Sequence, residues 1–474
     1  MFSRVYVENF RSYREFELDL LESSNPKKVK KALFIYGENG SGKSNLVEVF
    51  SFLTDSTRTL RNNKRFLKAM VQIQKEESDK MMIDDVKEFL LSHPILRRSN
   101  LSTLVEDVKA LGPNKENENM VINFGFVLSG SDAEGEYTMV FNDEGELIHE
   151  SLEYIIEKNV GTLFSIENVD NEIKTKFSGK FFNGSKKFKE ELEYDIEAYW
   201  GKNTLLSIIV NMLSIKNSKI VYKSLNSNFT SVLKFFRSIS VIHKSSDTEI
   251  SNLSVKLKIF SNLDKGSIKR DNQKMLLELN SIEKILSDFF TSLYSDILKV
   301  EYDIKIDDNE IEYELCVRKK IGGIETLIPF SKESQGTKNL LSIFPALIAF
   351  MDGKVVIIDE IDTGIHDKLM ERIMSGLLYY SSGQFIATTH NTQLLENLSA
   401  DKVGIIAVDS YGNKKMNLLK NSDVKANNNL YKKYMKGDFY GIPDIFDIDF
   451  LSLVDDLNRL LESKPDLDEK ETDQ

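Results

Sequence analysis

The sequence predicts an α/β fold with a mixed central sheet, an antiparallel β lobe and helical insertions. A β-prone apolar run at 33–36 is followed by a glycine-rich loop and then by a helical spacing. A second apolar run, 355–358, ends in two adjacent carboxylates, and a third run lies at 384–388. Residues 120–155 instead alternate apolar and polar side chains between Gly- and Asp-rich turns, which is typical of an antiparallel meander. The central sheet is therefore expected to be built around the first three runs.

The remaining segments are predicted from their spacing. Residues 2–20 alternate on either side of Asn9–Tyr13 and predict a hairpin, whereas 188–300 has a helical period and 301–330 returns to strands. The predicted organisation is an N-terminal part of the main domain (1–51), a helical insertion (52–112), an antiparallel lobe (113–187), a helical region (188–300), a C-terminal part of the main domain (301–415) and a helical tail (416–474) whose last residues are disordered.

Composition limits the class of protein. A chain of 474 residues exceeds the usual size of one core, and its 41% hydrophobic and 29% charged residues suit a soluble globular protein. The longest apolar run, 340–351, is too short to span a bilayer, and no cationic, apolar leader opens the chain. We therefore expect a cytoplasmic protein. The net charge of −12 disfavours a DNA-coating protein but leaves room for a local basic face.

The glycine-rich loop at 37–44 carries the most specific motif. Its sequence, GENGSGKS, fits G-x-x-x-x-G-K-[ST] between a strand and a helix, which predicts a phosphate-binding loop. Backbone N–H groups of such a loop surround phosphates, the lysine adds a charge for the β- and γ-phosphates, and the final hydroxyl binds Mg²⁺. The expected ligands are thus ATP and Mg²⁺. The predicted phosphate-binding residues are Gly37, Asn39, Gly40, Ser41, Gly42, Lys43 and Ser44, and Ser44 is also a predicted metal ligand.

The acidic pair Asp359-Glu360 predicts hydrolysis. In a protein with a phosphate loop, the first carboxylate belongs on Mg²⁺ and the second is placed to accept a proton from the attacking water. We therefore assign Asp359 to the metal and Glu360 to the general base, and we predict that both fold next to Lys43.

Two further positions fit the same chemistry. Ser334 and Gly336 form a Ser-x-Gly before a strongly helical stretch, and a helix N-terminus of this kind binds anions through its hydroxyl, N–H groups and dipole. A simple N-cap is the alternative. His390 follows the run 384–388, where an imidazole could sense the γ-phosphate or orient the water; the alternative is a structural histidine.

A group of basic residues follows the phosphate-loop helix. Arg58, Arg61, Arg65 and Lys68 are spaced by three and four residues, which predicts one cationic helix face. This face could bind a nucleic-acid backbone or an acidic protein, or it could simply be solvated.

These motifs together resemble the ABC-type ATPase heads. Within that superfamily, five segments resemble the OLD-like, SMC-related AAA-family ATPases of bacterial anti-phage defence. These segments are NFRSY (9–13), GENGSGKSN (37–45), ESQGTKNLL (333–341), IIDEIDTGIH (357–366) and TTHNTQLL (389–396). The resemblance is nearest to the ATPase components of two-gene systems of the PARIS and AbiL/RloA types.

The resemblance implies an ABC-type P-loop ATPase head that holds ATP between two subunits. Ser334 and Gly336 would contact the γ-phosphate held by the other subunit, Asp362 would lie in the loop that connects the two sites, and His390 would be the switch histidine. It also implies a homo-oligomer, a separate effector protein of the nuclease kind and a phage protein as trigger, with no membrane partner. Two alternatives stay open: a DNA-binding ATPase of the repair type, and an ATP-dependent scaffold that does not hydrolyse.

Overall fold

The computed structural model describes residues 1–76, 100–110, 118–243, 262–270, 272–306, 310–420, 429–439 and 449–462. The chain forms two compact units, Met1–Gly441 and Ile442–Gln474. The fold and the site described below belong to the first unit. The predicted disordered end of the tail lies outside the described residues.

The secondary structure alternates between groups of strands and groups of helices. The described strands are β1 Phe2–Phe10, β2 Tyr13–Asp19, β3 Leu21–Glu22, β4 Asn25–Val29, β5 Ala32–Tyr36, β6 Met120–Val127, β7 Glu134–Phe141, β8 Leu147–Ile155, β9 Val160–Val169, β10 Glu172–Phe177, β11 Ser240–Ile242, β12 Lys265–Lys269, β13 Ile297–Ile306, β14 Glu310–Ile321, β15 Ile324–Pro329, β16 Val355–Ile358, β17 Gln384–Thr388, β18 Val403–Val408 and β19 Lys414–Leu418. The described helices are α1 Lys43–Ser56, α2 Thr59–Glu76, α3 Leu101–Val108, α4 Lys186–Tyr199, α5 Leu205–Ile215, α6 Ser218–Ser224, α7 Ser227–Phe236, α8 Gln273–Leu293, α9 Gln335–Met351, α10 Asp367–Tyr380, α11 Leu430–Met435 and, in the second unit, α12 Phe450–Glu462.

The central sheet has the order β11-β16-β17-β5-β18-β19. Its first five strands are parallel and β19 is antiparallel, so the predicted mixed sheet is confirmed. Every residue of β5, β16 and β17 is buried, as expected for apolar strands with both faces covered. The helices α1 and α9 both pack against β16.

The antiparallel lobe is also confirmed. Its seven strands have the order β10-β9-β8-β7-β6-β1-β2, so the N-terminal hairpin completes a sheet formed mainly by residues 120–177. The Phe2 ring lies 5.1 Å from that of Phe50 in α1 and 5.5 Å from that of Phe124. The Gln384 side chain accepts from the Phe2 N–H at 2.7 Å and donates to its carbonyl at 2.9 Å. The first strand of the lobe is thereby attached to the central sheet and to the phosphate-loop helix.

The segment 188–330 differs in detail from its prediction. Strand β11 interrupts the helical region and joins the central sheet, and β12 pairs with β14 in a four-stranded sheet that β13 and β15 complete. Strands β11 and β12 have three and five residues, too few to establish a two-residue period in the sequence. Helix α8 buries Leu279, Ile282, Leu286 and Phe290, whose spacings of three and four residues place them on its core-facing side. No helix within the described ranges is long and apolar enough to cross a bilayer.

A buried carboxyl group joins the lobe to the helices. Glu150 in β8 is fully buried and accepts hydrogen bonds from Tyr137 Oη (2.8 Å), Trp200 Nε1 (2.8 Å) and the Leu205 N–H (2.7 Å). Burial raises the pKa of this carboxyl from 4.5 to about 7, although the three donors act in the opposite direction.

The Glu150 pKa predicts a pH-dependent stability. Because the folded pKa is the higher one, the unfolded chain loses its proton first, and the free energy of unfolding falls by about 3 kcal/mol between pH 4.5 and 7. Glu150→Gln keeps an acceptor and has no charge, so the variant should lack this loss and should exceed the wild type in stability at pH 8. Urea unfolding at pH 5 and pH 8 measures the difference. Glu153→Gln, on an exposed position of the same strand, is the control; an equal response of both variants would contradict the assignment.

Candidate functional site

The predicted site residues gather at one edge of the central sheet. Because β16, β17 and β5 are parallel neighbours, their carboxyl ends meet there, and the segments that follow them lie side by side. The phosphate loop follows β5, Asp359-Glu360 follow β16, and Thr389-His390 follow β17. The Thr389 N–H donates to the carbonyl of Ile35, and the Ile361 N–H donates to that of Thr388.

The loop 37–42 has a backbone that requires glycine. Gly37, Gly40 and Gly42 have φ values of 152°, 80° and 104°. A Cβ at Gly37 would lie 2.6 Å from Ser41 Oγ and 2.8 Å from the carbonyl oxygen of Ile406. Ser41 Oγ is buried and has no hydrogen-bond partner among the described residues. The loop thus encloses a donor that a bound oxyanion could satisfy, as expected of a phosphate cradle.

Lys43 points back over the loop. Its Nζ donates to the carbonyls of Gly37 and Glu38, both at 2.9 Å, and the residue is only 6% exposed. Burial lowers the pKa of this ammonium group, while the charges of Glu360 and Asp359, in that order, oppose the shift. The structure therefore brings the acidic pair within electrostatic reach of Lys43, as the sequence predicts.

The acidic pair is held by Thr388 at the end of the neighbouring strand. Thr388 Oγ1 donates to Asp359 Oδ1 at 2.5 Å and accepts from the Glu360 N–H at 2.7 Å. Asp359 is buried, whereas Glu360 is partly exposed and has a φ of 45°, in the left-handed region. A bulky side chain adopts this conformation only where its surroundings impose it, and such strain is frequent at functional sites. Thr363 contributes, because its N–H and hydroxyl both donate to the Glu360 carbonyl.

Ser334 and Gly336 begin helix α9 and differ in exposure. Ser334 is the exposed N-cap, and its Oγ accepts from the Thr337 N–H at 3.2 Å. Gly336 is buried, and a Cβ there would lie 1.9 Å from the carbonyl oxygen of Gly364. Glycine at 336 is therefore required for contact with the loop 361–365 of the same chain. Asp362 in this loop has a buried Oδ1 without a hydrogen-bond partner among the described residues.

His390 lies just beyond β17 and is exposed. The next residue, Asn391, is buried and caps the 3₁₀ helix Thr392–Glu396 through its side-chain oxygen. Tyr36, the last residue of β5, donates its hydroxyl to the Asn391 carbonyl at 3.0 Å. The imidazole thus stands at the same sheet edge as the phosphate loop and remains accessible to a ligand.

A model of a known protein family matches most of the chain. The family model described as "AAA domain, putative AbiEii toxin, Type IV TA system" matches residues 33–396. The chain belongs to this family. The match begins in β5 and ends six residues after His390, so all the edge residues described above lie inside the AAA domain.

Solved structures of SMC heads are similar to this AAA-domain protein. An SmcHead bound to the C-winged helix domain of ScpA is 13% identical, with 89% of this chain and 99% of that chain covered and a TM-score of 0.46. The SMC head domain from Thermotoga maritima is 14% identical, with 88% and 99% covered and a TM-score of 0.36. The Smc head domain with an extended coiled coil, bound to the C-terminal domain of ScpA and derived from Pyrococcus furiosus, is 14% identical, with 89% and 97% covered and a TM-score of 0.39. A search of curated proteins finds no match.

Several residues that support the AAA-domain site were not predicted to contact it. Tyr13 donates its hydroxyl to the Gly42 carbonyl at 2.6 Å. Lys414 in β19 donates to the Gly40 carbonyl at 2.7 Å and to Ser12 Oγ at 2.5 Å, and Asn45 Nδ2 donates to the same Ser12 Oγ at 2.5 Å. Tyr13 and Ser12 stand in the NFRSY motif, but their contact with the phosphate loop could not be predicted from that motif. The loop is therefore held from the outside by both the lobe and the edge strand.

The residues of this edge suit Mg²⁺-ATP. Within the described ranges no group of three or more His, Cys, Asp or Glu side chains could hold a metal ion without other ligands. Mg²⁺ ordinarily takes one or two protein ligands and completes its shell with phosphate oxygens and water. Ser44, exposed in the first turn of α1, and Asp359 are the chain's candidates for those ligands.

The predicted cationic face is corrected by the structure. Arg58 lies in the turn between α1 and α2 and not on a helix face, because α1 ends at Ser56 and α2 begins at Thr59. Arg61 and Arg65 line a cavity with Arg58, with Lys234 of α7 and with Arg237, the residue that caps that helix. Lys68 does not line that cavity. Three of the four predicted residues thus form part of a concave site, and that site lies away from the phosphate loop.

Proposed function

We propose that this AAA-domain protein binds ATP at residues 37–44 and hydrolyses it with the help of Asp359 and Glu360. The observation that supports this most strongly is the position of Lys43, which lies within electrostatic reach of both carboxylates although they come from the far part of the chain. A phosphate loop without the acidic pair would support a proposal of ATP binding but not of ATP hydrolysis.

Each residue has a distinct role in this proposal. The N–H groups of the loop and the Lys43 ammonium bind the phosphates, and Ser44 and Asp359 would hold Mg²⁺, which neutralises phosphate charge when bound. Glu360 accepts the proton of the attacking water, and its carboxylate is oriented by the bonds that Thr388 and Thr363 make to the backbone of residue 360. His390 stands where it could orient the same water. Lys43 and Asp359 are buried, which strengthens their charge interactions.

We further propose that ATP joins two heads. Ser334 is exposed at the N-terminus of a 17-residue helix, where its hydroxyl, the N–H groups and the helix dipole can all face an anion from another subunit. Gly336 supports this surface through its contact with the loop 361–365, which carries Asp362. Both segments would then respond together when a second head docks.

The biological role proposed here is control of a separate effector, such as a nuclease, in anti-phage defence. The family description refers to a toxin–antitoxin system, and such a system has two components. Assembly and release of heads driven by ATP would be the signal that the effector reads, with a phage product as the trigger.

The solution mass of the Glu360→Gln protein tests the proposed pairing of heads. We expect Mg²⁺-ATP to raise its mass, because binding is kept and turnover is lost, and we expect Ser334→Arg in the same background to abolish the rise. Light scattering after size exclusion measures both. Ser331→Arg, the same change at an exposed position three residues earlier, is the matched control and should leave the rise intact.

Two results would reject the ATP-dependent pairing. One is an unchanged mass of the ATP-loaded Glu360→Gln protein, which would agree better with a preformed scaffold. The other is a loss of the rise with Ser331→Arg as well as Ser334→Arg, which would show a general effect of the added arginine.

A further inference from the structure

A cationic cavity lies at the opposite end of α1 from the phosphate loop. It has a volume of about 480 Å³ and is lined by Arg58, Arg61, Asn62, Arg65, Lys234 and Arg237. Two segments contribute: the turn between α1 and α2 with the first part of α2, and the C-terminal end of α7. We refer to the five arginine and lysine residues of this set as the basic cluster.

The basic cluster is positioned by neutral contacts. Arg237 Nη1 donates to Tyr222 Oη at 3.1 Å, and Lys234 Nζ lies 4.8 Å from the centre of the same Tyr222 ring. The charge of Asp55 reaches Arg58 and opposes the effect of the neighbouring cations. Five cations therefore lie around one cavity.

Without a bound anion, the cations of the basic cluster repel one another, and their partial burial adds to the free-energy cost of placing them together. Burial lowers the pKa of Arg58 to about 10, and Arg237 and Arg61 act in the same direction. The pKa of Arg61 is also lowered, first by burial and then by the charges of Arg65 and Arg237. The Nε of Arg61 is buried and has no hydrogen-bond partner among the described residues. A buried donor of this kind, in a cavity lined by like charges, indicates a missing acceptor.

The cluster is separate from the nucleotide site. Helix α1 has 14 residues, with Lys43 at its first position, and Arg58 follows its last turn. A helix of that length spans about 21 Å, so one ligand of nucleotide size could not occupy both places.

We propose that the basic cluster is a second anion site that binds a compact ligand carrying two or more phosphate groups, such as the diphosphate of a small nucleotide. Arginine guanidinium groups bind phosphate oxygens in pairs, and the cavity falls within the about 300–1,000 Å³ typical of small-ligand sites. A nucleic-acid backbone fits less well, because Arg58 is half-buried within the concavity and Lys68, the next cation along α2, lies outside it.

Inorganic pyrophosphate is the probe for this site, and the full-length Lys43→Ala protein is the background, since its phosphate loop is impaired. Calorimetric titration at low salt should detect binding. Arg61→Ala and Arg65→Ala should each raise the Kd about tenfold or more, because each removes a charged donor to phosphate. Lys68→Ala, an equal charge change on the same helix outside the cavity, should change the Kd less than about twofold. Thermal melts establish that all variants are folded.

Three outcomes would overturn the proposal. They are the absence of pyrophosphate binding, equal binding by all three variants, and a response to Lys68→Ala as large as that to Arg65→Ala. If pyrophosphate does not bind but a short fluorescent DNA duplex does, and both Arg65→Ala and Lys68→Ala weaken it, the cluster belongs to an extended nucleic-acid surface instead. Because the readout is binding in a background with an impaired phosphate loop, the result is independent of ATP hydrolysis.

Discussion

Replacing Glu360 by glutamine is expected to reduce ATP turnover by about 100-fold or more while leaving ATP affinity nearly unchanged. Glutamine keeps the size of the side chain and cannot accept a proton from water, and general-base catalysis contributes roughly 10²–10⁴-fold to a rate. The phosphates would still meet Lys43 and the N–H groups of the loop. A fall in kcat without a rise in the Kd for ATP is the signature of a group that acts only in the transition state.

Phosphate release under saturating Mg²⁺-ATP and equilibrium titration of a fluorescent ATP analogue measure the two quantities separately. Glu396→Gln, which makes the same change at an exposed position after β17, is the control and should keep wild-type turnover. If Glu360→Gln retains turnover, the general-base role must be assigned to another group, and His390 would be the first to test.

Replacing Lys43 by alanine is expected to act on binding, in contrast to Glu360→Gln. The affinity for ATP should fall on the order of 100-fold. The ammonium group is buried against the loop, so its charge is poorly screened, and each hydrogen bond from a charged donor contributes about 1.5–3 kcal/mol. Its bonds to the Gly37 and Glu38 carbonyls are available for exchange with phosphate oxygens. The variant also leaves the Asp359 and Glu360 charges without their nearest counter-charge on the loop.

The same titration of an ATP analogue measures this loss, with Lys31→Ala as the control because Lys31 is exposed just before β5. A melting curve must accompany it, since the bonds from Lys43 also stabilise the loop. Equal and weak effects from Lys43→Ala and Glu360→Gln would contradict the division between binding and hydrolysis.

The local chemistry of the sequence was sufficient for the main parts of this site. A glycine-rich loop, a lysine and an apolar strand ending in two carboxylates are short patterns, and each restricts the backbone arrangements that can satisfy it. The burial of β5, β16 and β17 and the position of Lys43 near Asp359 and Glu360 were predicted on that basis. The α/β class with its mixed sheet and antiparallel lobe followed from the two hydrophobic periods, because strands buried on one face and on both faces differ in pattern.

Only the tertiary structure decided which distant side chains support that chemistry. Thr388 binds both members of the acidic pair, and Lys414 fixes the phosphate loop from an edge strand. The tight approach of Gly336 to Gly364 gives Gly336 a role within the chain. Residues at the start of α2 and the end of α7 line one cavity, which replaces the predicted cationic face. The physical reason is the same in each case: a hydrogen bond or a repulsion between residues far apart in sequence depends on how sheets and helices pack, and a local pattern of residue types does not contain that information.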